Sequence, residues 1–382
     1  MHNLQDAGFR FYAPQLDALR FIAALLVFLH HAPALPHLGF LREYGWVGVD
    51  LFFVISAFLL TRLLMLEFQR NGTINLPHFF IRRALRIWPL YFFYVTCAVS
   101  LALWSQDLAL TDIIAWWAGL MTFTNNLTAA ISGYSPIDYT AHLWTISLEE
   151  QAYIAMPLLL LVYFKSGGGH RVLLGAACGL LIWLLLVRTA FFLQGTPHPF
   201  VWVLPLRMDG FVLGAVAALV FAGPLPRAAL WAIPLGVALV ATCGFFPPVN
   251  QASLYQIIGY SVIALGCTCI TVGAMAPGME RSILAAGVLR YGGRISFGIY
   301  IYHLVGLKIA SAILWRLDMM QPGPVVVLGF AITFGMAALS YQVLEKPFLK
   351  LKERYTAVAS RPLGTRLEPL FKPAKEGVVG VS

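Results

Sequence analysis

Apolar stretches long enough to cross a lipid bilayer recur along almost the whole chain, and they restrict the fold more than any other feature. Only helices or closed barrels satisfy their backbone groups across about 30 Å of hydrocarbon. The apolar runs are continuous and do not alternate with period two, which indicates helices. The composition agrees, because 59% of the 382 residues are hydrophobic and 11% are charged. We therefore predict an all-α, polytopic membrane protein.

The positions of the basic residues predict how the spans are oriented. Residues 107–142 have only a short apolar part, and if they do not cross, most arginines and lysines between the spans share one side. Such clustering marks the cytoplasmic side. We therefore predict cytoplasmic termini, an external stretch 107–142 with an interfacial or re-entrant piece, a membrane domain over 1–355 and a disordered cytoplasmic tail over 356–382. The ten predicted spans are 17–35, 46–65, 87–104, 143–164, 172–193, 201–221, 228–246, 254–275, 295–315 and 323–344.

The formal net charge of +9 is explained by this orientation together with attraction to anionic membrane lipids, so we expect lipid partners and no nucleic acid. All five cysteines lie in apolar segments. Cys267 and Cys269 would point about 200° apart on a helix, so we expect neither a disulfide nor a metal site there.

Arg20 and His31 share one stripe of the first predicted span. Eleven residues make three helical turns plus about 20°, with an axial rise of roughly 16 Å. A cation and an imidazole at membrane depth are costly unless they face a polar interior. His30 points about 100° away from His31, so at most one of the two can face that interior fully. Interfacial anchoring of a histidine near a helix end is the alternative.

Three carboxylates lie near predicted helix starts. Asp50 begins the second span, and Glu149 and Glu150 lie near the start of the fourth. Helix capping could account for each of them. Two adjacent carboxylates followed by Gln151 exceed what a cap needs, however, and a carboxylate at this level could orient His31 and raise its basicity.

Further polar residues lie within apolar spans. Arg207 and Asp209, two residues apart, lie on different faces of a helix, so we expect each to pair with another helix. Ser296, Tyr300 and His303 form a polar stripe at i, i+4 and i+7 in the ninth span. A satisfied internal hydrogen-bond network is as good an explanation of that stripe as a functional site.

Arg83 and Arg86 share a helix face at the predicted inner mouth of the bundle. Arginine forks match phosphate oxygens. The pair could be an orientation signal only, but with His31 above it a phosphorylated cytoplasmic cosubstrate becomes a reasonable hypothesis.

Five blocks of sequence, in this order, resemble the integral membrane acyltransferase family 3. Members of this family O-acylate surface polysaccharides such as exopolysaccharide and lipopolysaccharide, peptidoglycan and some macrolides. Each block alone is weakly specific, but the ordered set is specific. The blocks are LDALRFIAA ending in HHA (16–32), GVDLFFVIS (48–56), RRALRIWPLY (82–91), LWTISLEEQAY (143–153) and GRISFGIY (293–300), followed by EKP at 345–347.

The resemblance implies roles for several residues. It implies that His31 is the functional histidine, that Arg83 and Arg86 are the Arg-x-x-Arg pair, and that Arg20 is the first-helix arginine. The glutamate position falls on Glu149 better than on Glu150. The family motif usually has Gly at position 57, where this chain has Ala, and one added methyl group is not expected to abolish activity.

The resemblance also implies a reaction. Residues 1–355 would form a membrane acyltransferase domain in a bacterial inner membrane. The cosubstrate would be acetyl-CoA or another acyl-CoA, with no permanently bound cofactor, and the acceptor a hydroxyl of a surface glycan or lipid-linked saccharide. A sugar hydroxyl needs a base, and imidazole is suited to that role. Whether His31 acts as base or carries the acyl group remains open.

A transporter or flippase for a lipid-linked glycan would also need polar groups at membrane depth. It predicts interrupted helices at matching positions of two halves, and the sequence has no such internal correspondence.

The topology is testable with single cysteines at Gly72, Ser132 and Lys352. We expect a membrane-impermeant thiol reagent to label Ser132→Cys in intact cells, and Gly72→Cys and Lys352→Cys only after permeabilisation. Labelling at position 72 from outside would contradict the topology.

Overall fold

A computed structural model of the chain describes residues 11–105, 107–167, 169–196, 201, 203–246, 251–282, 284 and 286–358. Every regular element in these residues is a helix, which confirms the predicted all-α class. The helices are α1 Pro14–His31, α2 Gly39–Tyr44, α3 Val47–Asn71, α4 Leu76–Ser105, α5 Leu110–Met121, α6 Asn125–Ser132, α7 Trp144–Lys165, α8 His170–Leu193, α9 Asp209–Val220, α10 Ala232–Ala241, α11 Tyr255–Ala274, α12 Gly287–Arg294, α13 Ser296–Arg316, α14 Pro322–Ser340 and α15 Lys346–Lys352.

Within the described residues, 8 helical stretches are long and apolar enough to cross a membrane. The 18-residue α1 and the 12-residue α9 are not among them, so the predicted count of ten spans is not confirmed. The orientation of the termini stays a prediction. Of the predicted tail, only 356–358 belong to the described residues, and there Arg70 donates a 2.7 Å hydrogen bond to the carbonyl of Ala357. Residues 359–382 lie outside them.

The helices α3 and α4 extend well beyond the predicted spans 46–65 and 87–104. The stretch between those spans is therefore mostly helical, and only residues 72–75 separate the two helices. Hydropathy marks the part of a helix that can contact lipid, whereas good helix formers such as Leu, Glu and Arg continue the helix into water. Arg83 and Arg86 consequently lie on α4 itself.

The predicted span 201–221 is broken. Pro205 opens a single 3₁₀ turn, Leu204 before it is extended, and α9 begins only at Asp209. Proline disfavours the helical conformation in the residue that precedes it, which explains the break. Arg207 therefore projects from the turn and Asp209 from the first turn of α9.

Both of these residues pair with other helices, as predicted. The Arg207 guanidinium binds the Asp50 carboxylate of α3 with both branches, the Nε–Oδ1 distance being 2.9 Å, and it lies 4.8 Å above the Trp46 ring. Arg188 of α8 binds both oxygens of Asp209 at 2.9 and 3.1 Å. All four charged side chains are buried. Asp50 therefore forms an interhelical ion pair, and α3 has no side-chain cap bond.

No helix between residues 107 and 140 is among the 8 candidate membrane spans. The 12-residue α5 is about 18 Å long, too short for a hydrocarbon core. Asn125 and Asn126 of α6 are buried, and the Asn126 amide contacts Gln151 of α7 at 2.9 to 3.2 Å. This stretch therefore packs on the bundle through α6, while its interfacial or re-entrant character and its external location stay predictions.

The site is positioned by α1, α3, α7 and α13. The helix α3 is the most buried of the long helices, whereas α8 and α10 are largely exposed, as expected of helices whose outer faces contact lipid. A Cβ at Gly214 would overlap the carbonyl of Val54, so this glycine allows α9 to pack closely on α3. Because α1 packs against both α3 and α13, His31 at the end of α1 meets the middle of α13.

We predict that the Asp50–Arg207 pair stabilises the fold and takes no part in chemistry. Arg207→Leu should lower the free energy of unfolding by about 3–5 kcal/mol, because the Asp50 carboxylate is left buried and uncompensated. The double change Asp50→Leu with Arg207→Leu should recover part of that loss. Thermal unfolding in detergent measures both, with the exposed Arg42→Leu as the control. Equal melting temperatures for wild type and Arg207→Leu would contradict the prediction.

Candidate active site

A basic cavity of about 300 Å³ lies at one end of the bundle. The arginines of the predicted Arg-x-x-Arg pair both line it, so they do share a face, and Arg20 of α1 joins them. The helices α12 and α15 bring in two further cations. Two carboxylates, Asp17 and Glu353, also line the wall, so cations are in the majority. The cations are Arg20, Arg83, Arg86, Arg294 and Lys352.

The two neighbouring arginines of α4 have different environments. Arg82 donates at 2.7 Å to Glu67 and at 2.8 Å to the carbonyl of Tyr355, so it ties α4 to α3 and to the C-terminal segment. Arg83 lies 5.6 Å from the Tyr153 ring of α7 and lines the cavity. The fold thus uses Arg82 as a cross-link and presents Arg83 to the cavity.

A second, smaller cavity of about 40 Å³ shares Arg20 with the basic cavity. Glu149 lines it, together with Thr145 and Tyr300 and the aromatic rings of α3 and α13. The hydroxyl of Ser56, which lines the basic cavity, lies 3.5 Å from Glu149 Oε1. Arg20 and the Ser56–Glu149 pair therefore mark the boundary between the two cavities.

From the smaller cavity, hydrogen bonds lead on to the histidines. The hydroxyl of Tyr300 lies 2.5 Å from Thr145 Oγ1 and 2.8 Å from the carbonyl of His142. Three residues along α13, His303 Nδ1 is 2.6 Å from the carbonyl of Tyr300. The three residues of the predicted polar stripe in the ninth span, Ser296, Tyr300 and His303, therefore all have hydrogen-bond partners. Tyr300 also lines the smaller cavity.

His303 joins α13 to α1. Its Nε2 lies 3.2 Å from Nδ1 of His31, which in turn lies 3.0 Å from the carbonyl of Val27. The His303 ring centroid is 4.8 Å from those of both His31 and His142. His303 and His142 are buried, whereas His31 is exposed. In the described residues these histidines do not form a set that could hold a metal ion.

His30 and His31 differ as the helical geometry predicts. His30 Nδ1 lies 2.6 Å from the carbonyl of Arg42 in α2, away from α13. Only His31 contacts the buried polar network. Of these two adjacent histidines, His30 therefore contacts α2 and only His31 belongs to the candidate active site.

The expected pairing of Glu149 with His31 is wrong. Within the described residues no hydrogen bond or ion pair joins them, because Glu149 lies at the boundary of the two cavities and His303 occupies the position beside His31. Nor is Glu149 a cap, since α7 begins five residues earlier, at Trp144. Glu150 is buried and accepts a 3.5 Å hydrogen bond from Trp88, which places it outside both cavities.

Sequence reasoning missed four residues of this interior. Arg188 lies within the predicted span 172–193 and so gives the same signal as Arg207, a buried cation that needs a partner. Arg294 lies within the block at 293–300 that resembles the family, but a single arginine between two spans is also typical of a topology signal. Lys352 and His142 gave no signal, because a lysine after the last span and a histidine at a loop end are ordinary features.

Most of the chain is similar to known proteins. The acyltransferase domain family matches residues 14–342. The chain is 26% identical over 365 residues to the peptidoglycan O-acetyltransferase OatA of Listeria monocytogenes, covering 89% of this chain and 56% of that protein. It is 25% identical to YrhL of Bacillus subtilis, whose name assigns it provisionally to peptidoglycan O-acetylation, over 88% of this chain and 55% of YrhL.

These relatives extend beyond the matched part, since the chain spans a little over half of their length. No solved structure matches the chain significantly. None of this favours the transporter hypothesis. Because the family match covers residues 14–342, which is most of the chain, this membrane protein belongs to the acyltransferase domain family.

Proposed function

We propose that this protein is a membrane O-acetyltransferase of the bacterial inner membrane that moves an acetyl group from acetyl-CoA to a hydroxyl of a surface glycan. The observation that carries the proposal is a series of polar groups, connected first by two cavities with a shared lining residue and then by hydrogen bonds. It runs from the basic cavity through Arg20 and Glu149 to Tyr300 and His303, and ends at the exposed His31.

The basic cavity suits the donor. Coenzyme A carries a diphosphate and a further phosphate, and arginine forks bind such groups with two parallel hydrogen bonds. The cavity of about 300 Å³ is lined by four cations that could bind these phosphates: Arg83, Arg86, Arg294 and Lys352. With the phosphates held there, the flexible thioester arm would extend past Arg20 towards His31.

The other end of the series suits the acceptor. His31 is exposed, so a glycan hydroxyl can approach its ring. An imidazole is a suitable base for a hydroxyl that attacks a thioester. The names of the relatives make a peptidoglycan-type glycan the first acceptor to test.

Arg20 and Glu149 lie between the basic cavity and His31, and we assign them to stabilisation of the reacting carbonyl. A cation beside the reacting carbonyl would stabilise the negative charge that develops on its oxygen. Arg20 is the cation that lines both cavities. Glu149, beside it, would hold that guanidinium in position, so Glu149→Gln should lower the rate without removing donor binding.

The donor site is tested by comparing three arginines of α4. Arg83→Ala and Arg86→Ala should raise the KM for acetyl-CoA at nearly unchanged abundance, because they remove phosphate contacts and leave the core intact. Lysine should rescue only partly, since the bidentate fork is lost. Initial rates in membrane vesicles measure this. The matched control is Arg82→Ala, which should lower abundance and leave KM unchanged. A normal KM in the Arg83→Ala, Arg86→Ala double variant would remove both residues from the donor site.

The chemistry is tested by comparing His31 with His30. His31→Ala should reduce glycan acetylation by roughly 10²- to 10⁴-fold, the contribution of a positioned base, while membrane insertion is preserved. His30→Ala should keep most activity, because its ring contacts Arg42. Mass spectrometry of acetyl esters on surface glycans from a deletion strain carrying each variant gives the readout. Wild-type acetylation in His31→Ala at matched expression would refute the proposed function.

A further inference from the structure

We propose that His303 is a positioning residue that fixes His31 as its Nδ1–H tautomer and so makes Nε2 of His31 the base. This inference rests on the proposed function for its consequence in catalysis. The tautomer itself follows from the hydrogen-bond geometry and can be measured without any substrate.

The protonation of His303 follows from its neighbour on α13. Its Nδ1 lies 2.6 Å from the carbonyl oxygen of Tyr300. A carbonyl oxygen only accepts hydrogen bonds, so Nδ1 of His303 must carry the hydrogen. The ring is 1% exposed, and among the described residues no carboxylate contacts it, so a second proton would place an uncompensated charge in the interior. His303 is therefore neutral, and its Nε2 is an acceptor.

The tautomer of His31 follows from two acceptors. Its Nδ1 lies 3.0 Å from the carbonyl of Val27 and 3.2 Å from Nε2 of His303. Because both groups accept, Nδ1 of His31 must carry a hydrogen, which the two acceptors share. The lone pair of the neutral ring is then on Nε2, which has no protein partner among the described residues and belongs to an exposed side chain.

The consequence for the reaction is specific to this pair. As the acceptor oxygen forms its bond to the thioester carbon, its proton moves to Nε2 of His31. The carbon–sulfur bond then breaks, and the proton passes from Nε2 to the leaving thiolate, which restores neutral His31. During the charged stage the Nδ1–H bond to His303 becomes charge-assisted and therefore stronger. His303 exchanges no proton in this sequence.

The structure also explains why a histidine provides this support. The ring of His303 lies between His31 and His142, with both centroid distances 4.8 Å. Glu149, the carboxylate first expected beside His31, lines the small cavity instead. A neutral acceptor packed between two rings orients His31 without burying a carboxylate beside it.

The tautomer is tested on the full chain in detergent micelles by ¹⁵N spectroscopy of labelled histidines, with the His31 signals assigned from their loss in His31→Gln. We expect the Nδ1–H form in wild type and in the control His30→Gln. His303→Leu should give a mixture of tautomers, whereas His303→Gln should retain the Nδ1–H form, because its Oε1 can replace Nε2 as acceptor. An unchanged His31 tautomer in correctly folded His303→Leu would overturn the proposal.

Kinetics in membrane vesicles, which contain the native acceptor, supply the second readout. His303→Leu should lower kcat by about 10- to 100-fold, as expected for loss of one charge-assisted hydrogen bond, with an unchanged KM for acetyl-CoA. His303→Gln should recover much of that loss. A purely structural role would lower the abundance of both variants equally, without rescue, and would refute the proposal.

The two proposals fail in different ways. If His31→Ala retains acetylation while His303→Leu shifts the tautomer, the proposed function is wrong and the role of His303 in setting the tautomer is supported. If His31→Ala abolishes acetylation while the tautomer and kcat of His303→Leu match wild type, the proposed function is supported and the inference about His303 is wrong.

Discussion

The arrangement depends on one constraint: a polar or charged side chain inside a membrane bundle must find a partner or a wet cavity. The interior satisfies it in two ways. Arg207 and Arg188 are fully buried and bind Asp50 and Asp209 on other helices. The cations nearer one end line the basic cavity instead. Structural and candidate functional charges therefore differ in their surroundings and not in residue type.

The same constraint explains the course of the series of polar groups. Each polar group from the small cavity onwards is within hydrogen-bond distance of another: Tyr300 with Thr145, and His303 with both Tyr300 and His31. A chain of satisfied groups tolerates burial, because each hydrogen bond compensates the desolvation of its members. Arg20 and His31 both belong to α1, so this helix fixes the distance between the start and the end of the series.

Three predictions show how far sequence reasoning reaches. The helical period correctly predicted that His31 and His30 face different surroundings and that Arg207 pairs with another helix. Both predictions follow from geometry within one helix. The pairing of Glu149 with His31 failed, because it required the depth of α7 relative to α1. That relation is set by packing between helices and leaves no periodic trace in the sequence.

The sequence by itself determined the helical class, the membrane character, the family resemblance and the faces on which Arg20, Arg83 and His31 lie, because these depend on composition and on the period of a helix. Only the tertiary structure decided which partners meet. It placed His303 beside His31 and paired Arg207 with Asp50. Contacts between residues hundreds of positions apart depend on how helices pack, and a local pattern does not encode that packing.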